Sequence, residues 1–389
     1  MIADLHAHYP MRVVAGLEPD STLRRMRHAG VPRTVGDRLR ALVLSMAARI
    51  ASDKDWWSGW RISLPYLRAG RVGLAFSVLY GPFEEIDLDQ PYGAPPQAAY
   101  FGELVRALEL VEGDVAGQDP AELRIAHDRD ELEAALGDGA TALVHCVEGG
   151  FHLGGTVAEI DRNVAELARR GVAYVTLAHL FWRRVAANAP AIPFVPDRLY
   201  DVLFPQRSGA GLTELGRAAV RALARERILV DVSHMRGDAL EQTFAMLDEV
   251  DPAMPVIASH AGCRFGSQRY MLDDATVRRI AARNGVVGLI MAQHQLNDGV
   301  RSKATGTFDE SFAVIRRHVD RIHEVTGSYD HVGIGSDFDG FIRPTMTGLE
   351  TSADLARLED ALRAHYGEEV AERISSGNAV RVLRTLWNR

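Results

Sequence analysis

Five of the fourteen histidines in this 389-residue chain stand at or just beyond the ends of short apolar runs. They are His6 and His8 in DLHAHYP, His179 after VAYVTLA, His234 in ILVDVSH and His260 in PVIASH. Two carboxylates hold the same kind of position, Glu148 in VHCVEGG and Asp337 in VGIGSDFDG. Neutral imidazoles and carboxylates are ligands for divalent metals such as zinc. In an extended segment side chains alternate with period two, so His6 and His8 project to the same side and can grip one ion. Alone, such a pair also reads as two surface histidines. A single histidine at the end of an apolar run is commonly a hydrogen-bonded structural residue. His234 and His260 on successive runs, facing His6 and His8, instead compose a second metal site.

Two divalent ions about 3.5–4 Å apart need a bridging anion. Some metal-dependent hydrolases bridge with a carboxylated lysine. Here Lys54 and Lys303 are the only lysines and neither follows an expected strand. Glu148 is then the bridge, by elimination and by position. The glycines after it let the backbone turn sharply beneath the site. Asp337 is suited to holding or taking the proton of the metal-bound water, although an Asp before Gly also reads as a turn or a helix cap. Asp339 reads as structural. His179 has no ligand role left to fill and is assigned to the substrate's carbonyl oxygen or its oxyanion.

These residues converge only if the elements beneath them form one mouth. Apolar, β-branched runs recur at 2–5, 72–79, 141–147, 172–178, 228–233, 255–259, 286–291 and 331–336. Between them, 159–170, 213–225, 275–283 and 308–325 carry apolar residues at helical spacing. Continuous apolar strands alternating with amphipathic helices predict a parallel sheet covered by helices. Eight such units predict an α/β chain closed as a (β/α)8 TIM barrel, one domain over residues 1–389. Such barrels build their sites at the carboxyl ends of the strands, where the histidines and carboxylates fall. The stretch 20–71 is long for one unit and is expected to hold extra N-terminal helices. Segments 81–100 and 181–210 are expected as long loops on the catalytic face.

Composition narrows the function further. The chain is 47% hydrophobic and 25% charged, ordinary proportions for a globular protein. Its net charge of −8 has no basic block, which argues against a nucleic-acid surface. Two cysteines offer no disulfide framework and suit a reducing compartment. The start, MIADLHAHYP, lacks the charge and apolar run of a signal peptide, and no uncharged apolar stretch reaches membrane-spanning length. We therefore expect a cytoplasmic protein with no membrane partner, open to homo-oligomer formation.

The sequence resembles the membrane (renal) dipeptidase family, the M19 group of the amidohydrolase superfamily. The likeness rests on RAGRVGLAFSVLYGP, VHCVEGG, VAYVTLAH, ILVDVSH, PVIASH, VGIGSDFDG and SGNAVRVL, which follow one another in the family order. It implies a (β/α)8 barrel with two zinc ions hydrolysing dipeptides. By position, His6 resembles a ligand of the first zinc, Glu148 the bridge, and His234 and His260 the ligands of the second. Asp337 matches the acid/base and His179 a substrate contact. The family also carries an Arg for the substrate's terminal carboxylate; Arg269 in SQRYMLDD fits that place and Arg264 is its rival.

Two departures stand out. The family usually has His-x-Asp at the first motif, where this chain has His6 and His8. That exchange removes a negative charge from the metal. The segment FWRRVAANAPAIPFVPDRLYDVLFPQ and the Arg loop also depart from the dipeptidase pattern. The leading reading is a two-zinc hydrolase whose metal-bridging hydroxide attacks the amide of a small, dipeptide-like substrate. The alternatives are hydrolysis of another small amide or cyclic amide, a tailoring step of secondary metabolism, and a barrel that binds peptide without turnover.

Overall fold

The computed structural model describes residues 1–17, 36, 59–86, 90–193, 195–207, 209–340 and 342–388. Among the described residues nine strands run in chain order: β1 (Ile2–Ala7), β2 (Val72–Leu79), β3 (Leu123–Ile125), β4 (Thr141–Glu148), β5 (Tyr174–Thr176), β6 (Leu229–Asp231), β7 (Val256–Ala261), β8 (Val286–Leu289) and β9 (Val332–Ile334). All pairings between them are parallel. The order β2-β1-β9-β8-β7-β6-β5-β4 closes on itself through β2–β4, giving an eight-stranded barrel. All but one of the residues in these eight strands are buried, because helices cover the outside and side chains fill the inside.

β3 is the ninth strand and was not expected. It pairs only with the start of β4, from Leu123↔Thr141 to Ile125↔Leu143, on the edge that β5 takes over at Val147↔Val175. Three residues, one of them Arg124, are too short a run to stand out in hydrophobic periodicity.

The helices that alternate with the strands begin where a side-chain oxygen can cap them. Thr156, Thr213, Asp273 and Thr307 each accept a hydrogen bond from the backbone two or three residues into the helices Val157–Arg169, Glu214–Glu226, Asp274–Ala282 and Phe308–Thr326. These four lie within two residues of their expected bounds. Leu64–Ala69 is a helix inside the stretch 20–71; most of that stretch, with the extra helices expected there, lies outside the described residues. The two expected loops carry helical turns of their own, Pro82–Ile86 and Asp197–Leu203. The first of them helps to build the site.

Candidate metal centre at the barrel mouth

The strand ends deliver the expected residues to one place. His6 lies inside β1 and His260 inside β7, Glu148 is the last residue of β4, and His179, His234 and Asp337 follow β5, β6 and β9. The Nε2 atoms of His6, His179 and His260 lie 3.4 Å from Glu148 carboxylate oxygens, and those of His8 and His234 lie 3.5 and 3.8 Å away. Asp337 Oδ1 is 3.0 Å from His8 Nε2 and 3.9 Å from His6 Nε2. Two sets of donors, His6–His8–Glu148 and Glu148–His234–His260, each gather their ligand atoms within 4.8 Å of one another. They share Glu148.

Backbone geometry at two of these positions is unusual. His234 and Asp337 have φ of +62° and +58°, the left-handed region that non-glycine residues seldom enter. Strain of this kind persists where the surroundings over-determine it. At Asp337 the amide donates to His6 O (2.9 Å) and the following turn closes with Gly340 N on Asp337 O (3.0 Å). A Cβ on Gly340 would stand 2.0 Å from Asp337 Oδ1, so the glycine in SDFDG makes room for the carboxylate.

A second layer of hydrogen bonds sets which imidazole nitrogen faces the cavity. Ser259 Oγ donates to Asp231 Oδ2 (2.6 Å) and is thereby left to accept from His260 Nδ1 (2.9 Å). Tyr174 crosses the barrel from β5, donates to Leu5 O (2.8 Å) and accepts from His6 Nδ1 (3.0 Å). In both histidines Nδ1 then carries the proton and Nε2 offers its lone pair inward. Such outer partners orient metal ligands and raise their basicity. Burial drives His234 and His260 well below the ordinary histidine range, which keeps both neutral. Burial also opposes charge on Glu148, but the imidazoles around it outweigh that and hold it well below the usual carboxylate range. At His6 burial pulls downward and the attraction of Glu148 and Asp337 prevails, raising it: the field at this spot favours a cation.

The donors fit a metal pair on the structure's own terms. His6 Nε2 and Glu148 Oε1 are buried with no hydrogen-bond partner, and His234 and His260 bring Nε2 atoms within 2.8 Å of each other. Buried polar atoms left this way are costly unless something else satisfies them.

His179 takes a different place. Its Nδ1 is 2.7 Å from Glu85 Oε2, and the same carboxylate accepts from Tyr80 Oη (2.7 Å) and from Phe181 N (2.8 Å). Burial pulls His179 down, but Glu148 and Glu85 together push it up to about 9. It can therefore present a charged N–H to the cavity. Glu85 comes from the turn Pro82–Ile86, within what reads as a loop, and no motif in the sequence points to it. Asp231 and Ser259 were also missed, although an acid inside the apolar run ILVDV is a signal of a buried polar network. Asp339, expected as structural, accepts from the amides of Arg61 (2.9 Å) and Ile62 (3.0 Å).

The two arginines lie apart from the cluster. Arg269 Nε donates to Asp197 Oδ2 (3.0 Å) and Nη2 to Asp201 Oδ2 (2.8 Å), both on the helix Asp197–Leu203. Arg264 donates to Met271 O (2.9 Å) and Arg269 O (3.0 Å), bracing its own loop. The cavity over the centre is lined instead by residues such as Met11, Tyr80, Leu180, Gln295 and Ile342, beside His8, Glu148 and Asp337.

Comparison with known proteins agrees with this architecture. The family model described as membrane dipeptidase (peptidase family M19) matches residues 2–388. An uncharacterized protein in the pqqA 5′ region of Klebsiella pneumoniae is 27% identical over 267 residues, 68% of this chain and 89% of its own. Dipeptidase 3 of Rattus norvegicus is 26% identical over 323 residues, 83% of this chain but 58% of that relative. Among solved structures, a metallo peptidase from Rhodobacter sphaeroides, liganded with a phosphinate mimic of the dipeptide L-Ala-D-Ala, superimposes with a TM-score of 0.70. It is 22% identical and the match covers 99% of both chains. With the model of one family matching nearly end to end and a barrel mouth that gathers donors for metal, this chain belongs to the membrane dipeptidase family, peptidase family M19, and is a metallo-dipeptidase, a hydrolase.

Proposed function

We propose that the chain cleaves the amide bond of free dipeptides, or close mimics of them, at a dinuclear zinc centre bridged by Glu148. The observation that carries this reading is the position of Glu148 between two imidazole pairs, His6 with His8 and His234 with His260. Held by these residues, two zinc ions would lower the pKa of a water to make it the nucleophile and would polarise the scissile carbonyl. The protein's own groups do the rest. His179, its Nδ1 anchored by Glu85, donates from Nε2 to the carbonyl oxygen and to the oxyanion that forms there. Asp337 accepts the proton of the attacking water and passes it to the leaving amine. Zinc content measured with a dipeptide-library assay tests the whole reading. Two zinc ions without dipeptide turnover would favour another small amide or cyclic amide, and no zinc would favour a binding protein.

His179 also sets a pH dependence. Its cationic form is present below its pKa and is lost as pH rises through it. Glu85→Gln removes one of the carboxylates that raise this pKa, so the basic limb of the kcat/KM profile should move to lower pH. A basic limb unchanged from wild type would take the proton on His179 out of the mechanism.

We assign the substrate's terminal carboxylate to Arg269, whose fork can pair with both carboxylate oxygens at once. Asp197 and Asp201 hold that fork, and a substrate carboxylate has to exchange with them. Arg269→Met is expected to raise KM for free dipeptides by roughly 10- to 100-fold while C-terminal amides change little. Equal losses on the two substrates would move the assignment to Arg264, or favour a substrate without a free carboxylate.

A further inference from the structure

On the other face of β4 from Glu148 lies a second cluster of metal-binding side chains. Successive residues of a strand point to opposite faces, so His145 stands three residues from Glu148 and outside the barrel. There it meets Glu112, from the helix Ala99–Ala116, and His127, two residues beyond β3. His145 Nε2 lies 3.8 Å from Glu112 Oε1, and His127 Nε2 lies 3.7 Å from the same oxygen. The three ligand atoms all fall within 4.8 Å of one another.

Further observations point to a ligand. The His145 side chain has no exposure, yet neither ring nitrogen has a hydrogen-bond partner. His127 is already oriented as a metal ligand would be. Its Nδ1 and its backbone amide both lie 2.8 Å from Glu131 Oε2, which places the ring proton on Nδ1 and turns the Nε2 lone pair toward Glu112. Its backbone is held by Gly171, where a Cβ would come within 2.4 Å of His127 Cα. On its outer side His127 faces a surface groove, which it lines with Asp128, Gly171 and Glu226.

We propose that Glu112, His127 and His145 form a further divalent-cation site of the zinc class, separate from the centre at the barrel mouth. Two nitrogens and one carboxylate oxygen are a common zinc donor set, with water completing the tetrahedron. Ligands about 2.0–2.1 Å from a tetrahedral ion stand about 3.4 Å apart, so the two spacings to Glu112 close by a few tenths of an ångström. Arg170 is the opposing charge, but it is bound to Glu166 (2.8 Å) and Glu109 (3.3 Å), and Glu131 adds another anion beside His127. The ion would tie β3 and the helix Ala99–Ala116 to the barrel wall. This is a structural task, distinct from hydrolysis.

The test is zinc binding by the full chain after removal of metal with a chelator and equilibrium dialysis against zinc chloride alone. Glu112→Gln and His127→Asn alter partly exposed side chains and are expected to fold. Each should bind one zinc fewer than wild type, or bind that equivalent at least about tenfold more weakly. Glu148→Gln, altered at the barrel mouth, should retain this equivalent and should melt at a higher temperature when zinc is added. Adding Glu112→Gln to Glu148→Gln should remove one further zinc equivalent and shrink that rise. If Glu112→Gln and His127→Asn bind zinc with wild-type stoichiometry and affinity, or if Glu148→Gln binds none, the site does not exist. Because the readout is metal and melting, neither outcome depends on dipeptide turnover.

Discussion

Glu148→Gln should leave a folded protein that has lost at least one zinc and about 10³-fold or more in kcat/KM, roughly 4 kcal/mol of barrier. Five Nε2 atoms lie within 3.4–3.8 Å of this one carboxylate, so no other residue of the centre touches as many candidate ligands. Glutamine has the same shape but replaces a lone-pair-bearing oxygen by an N–H₂ group and removes the charge. His234 and His260 are neutral by burial and cannot supply that charge in its place. Two cations held close together then repel one another without an anion between them. Folding should survive, since replacing a buried charge by a neutral isostere removes a desolvation cost along with the attraction. Metal per chain and kcat/KM, measured on the same preparation, check this. Retention of the full wild-type zinc content with wild-type turnover would remove Glu148 from the site.

Asp337→Asn should behave differently, keeping metal and substrate binding while kcat falls by about 10²–10⁴-fold, or roughly 3–5 kcal/mol. In the proposed centre His6, His8, Glu148, His234 and His260 supply the ligands for two ions, so Asp337 is not needed to hold them. Asparagine suits the position, because it enters the left-handed region more readily than most residues and keeps the size that Gly340 accommodates. What it lacks is the ability to accept a proton. A fall in kcat with unchanged metal content assigns Asp337 to proton transfer rather than to binding. Loss of zinc would make Asp337 principally a ligand, and normal turnover would place the relay elsewhere.

The two variants draw on a site that was largely legible in the chain. His6, His8, Glu148, His179, His234, His260 and Asp337 all follow from one rule, that parallel barrels present strand ends on one mouth. The exact strand limits mattered less than their spacing. His234 lies three residues past β6 rather than directly after it, and His260 lies within β7, yet both reach Glu148. β3 escaped notice because three residues carry too little periodicity.

Glu85 shows where such reading stops. It lies in a turn with no motif, and its meeting with His179, ninety-four positions away, comes from how that turn folds over the barrel. Arg269 shows the same limit: its place in the sequence allowed a carboxylate partner, but only the helix Asp197–Leu203 revealed that Asp197 and Asp201 already occupy its fork. The pairing of Glu112, His127 and His145 is likewise invisible along the chain, since it needs β3, β4 and a helix side by side. By itself, then, the sequence determined the barrel, the mouth and which histidines and carboxylates gather there. Apolar runs and strand-end residues act locally, through burial and the period-two geometry of strands. Tertiary structure alone decided which nitrogen of each histidine faces inward, which groups are charged and which carboxylates are shared. Those depend on hydrogen bonds and fields between residues far apart in the chain, and these exist only once the barrel has closed.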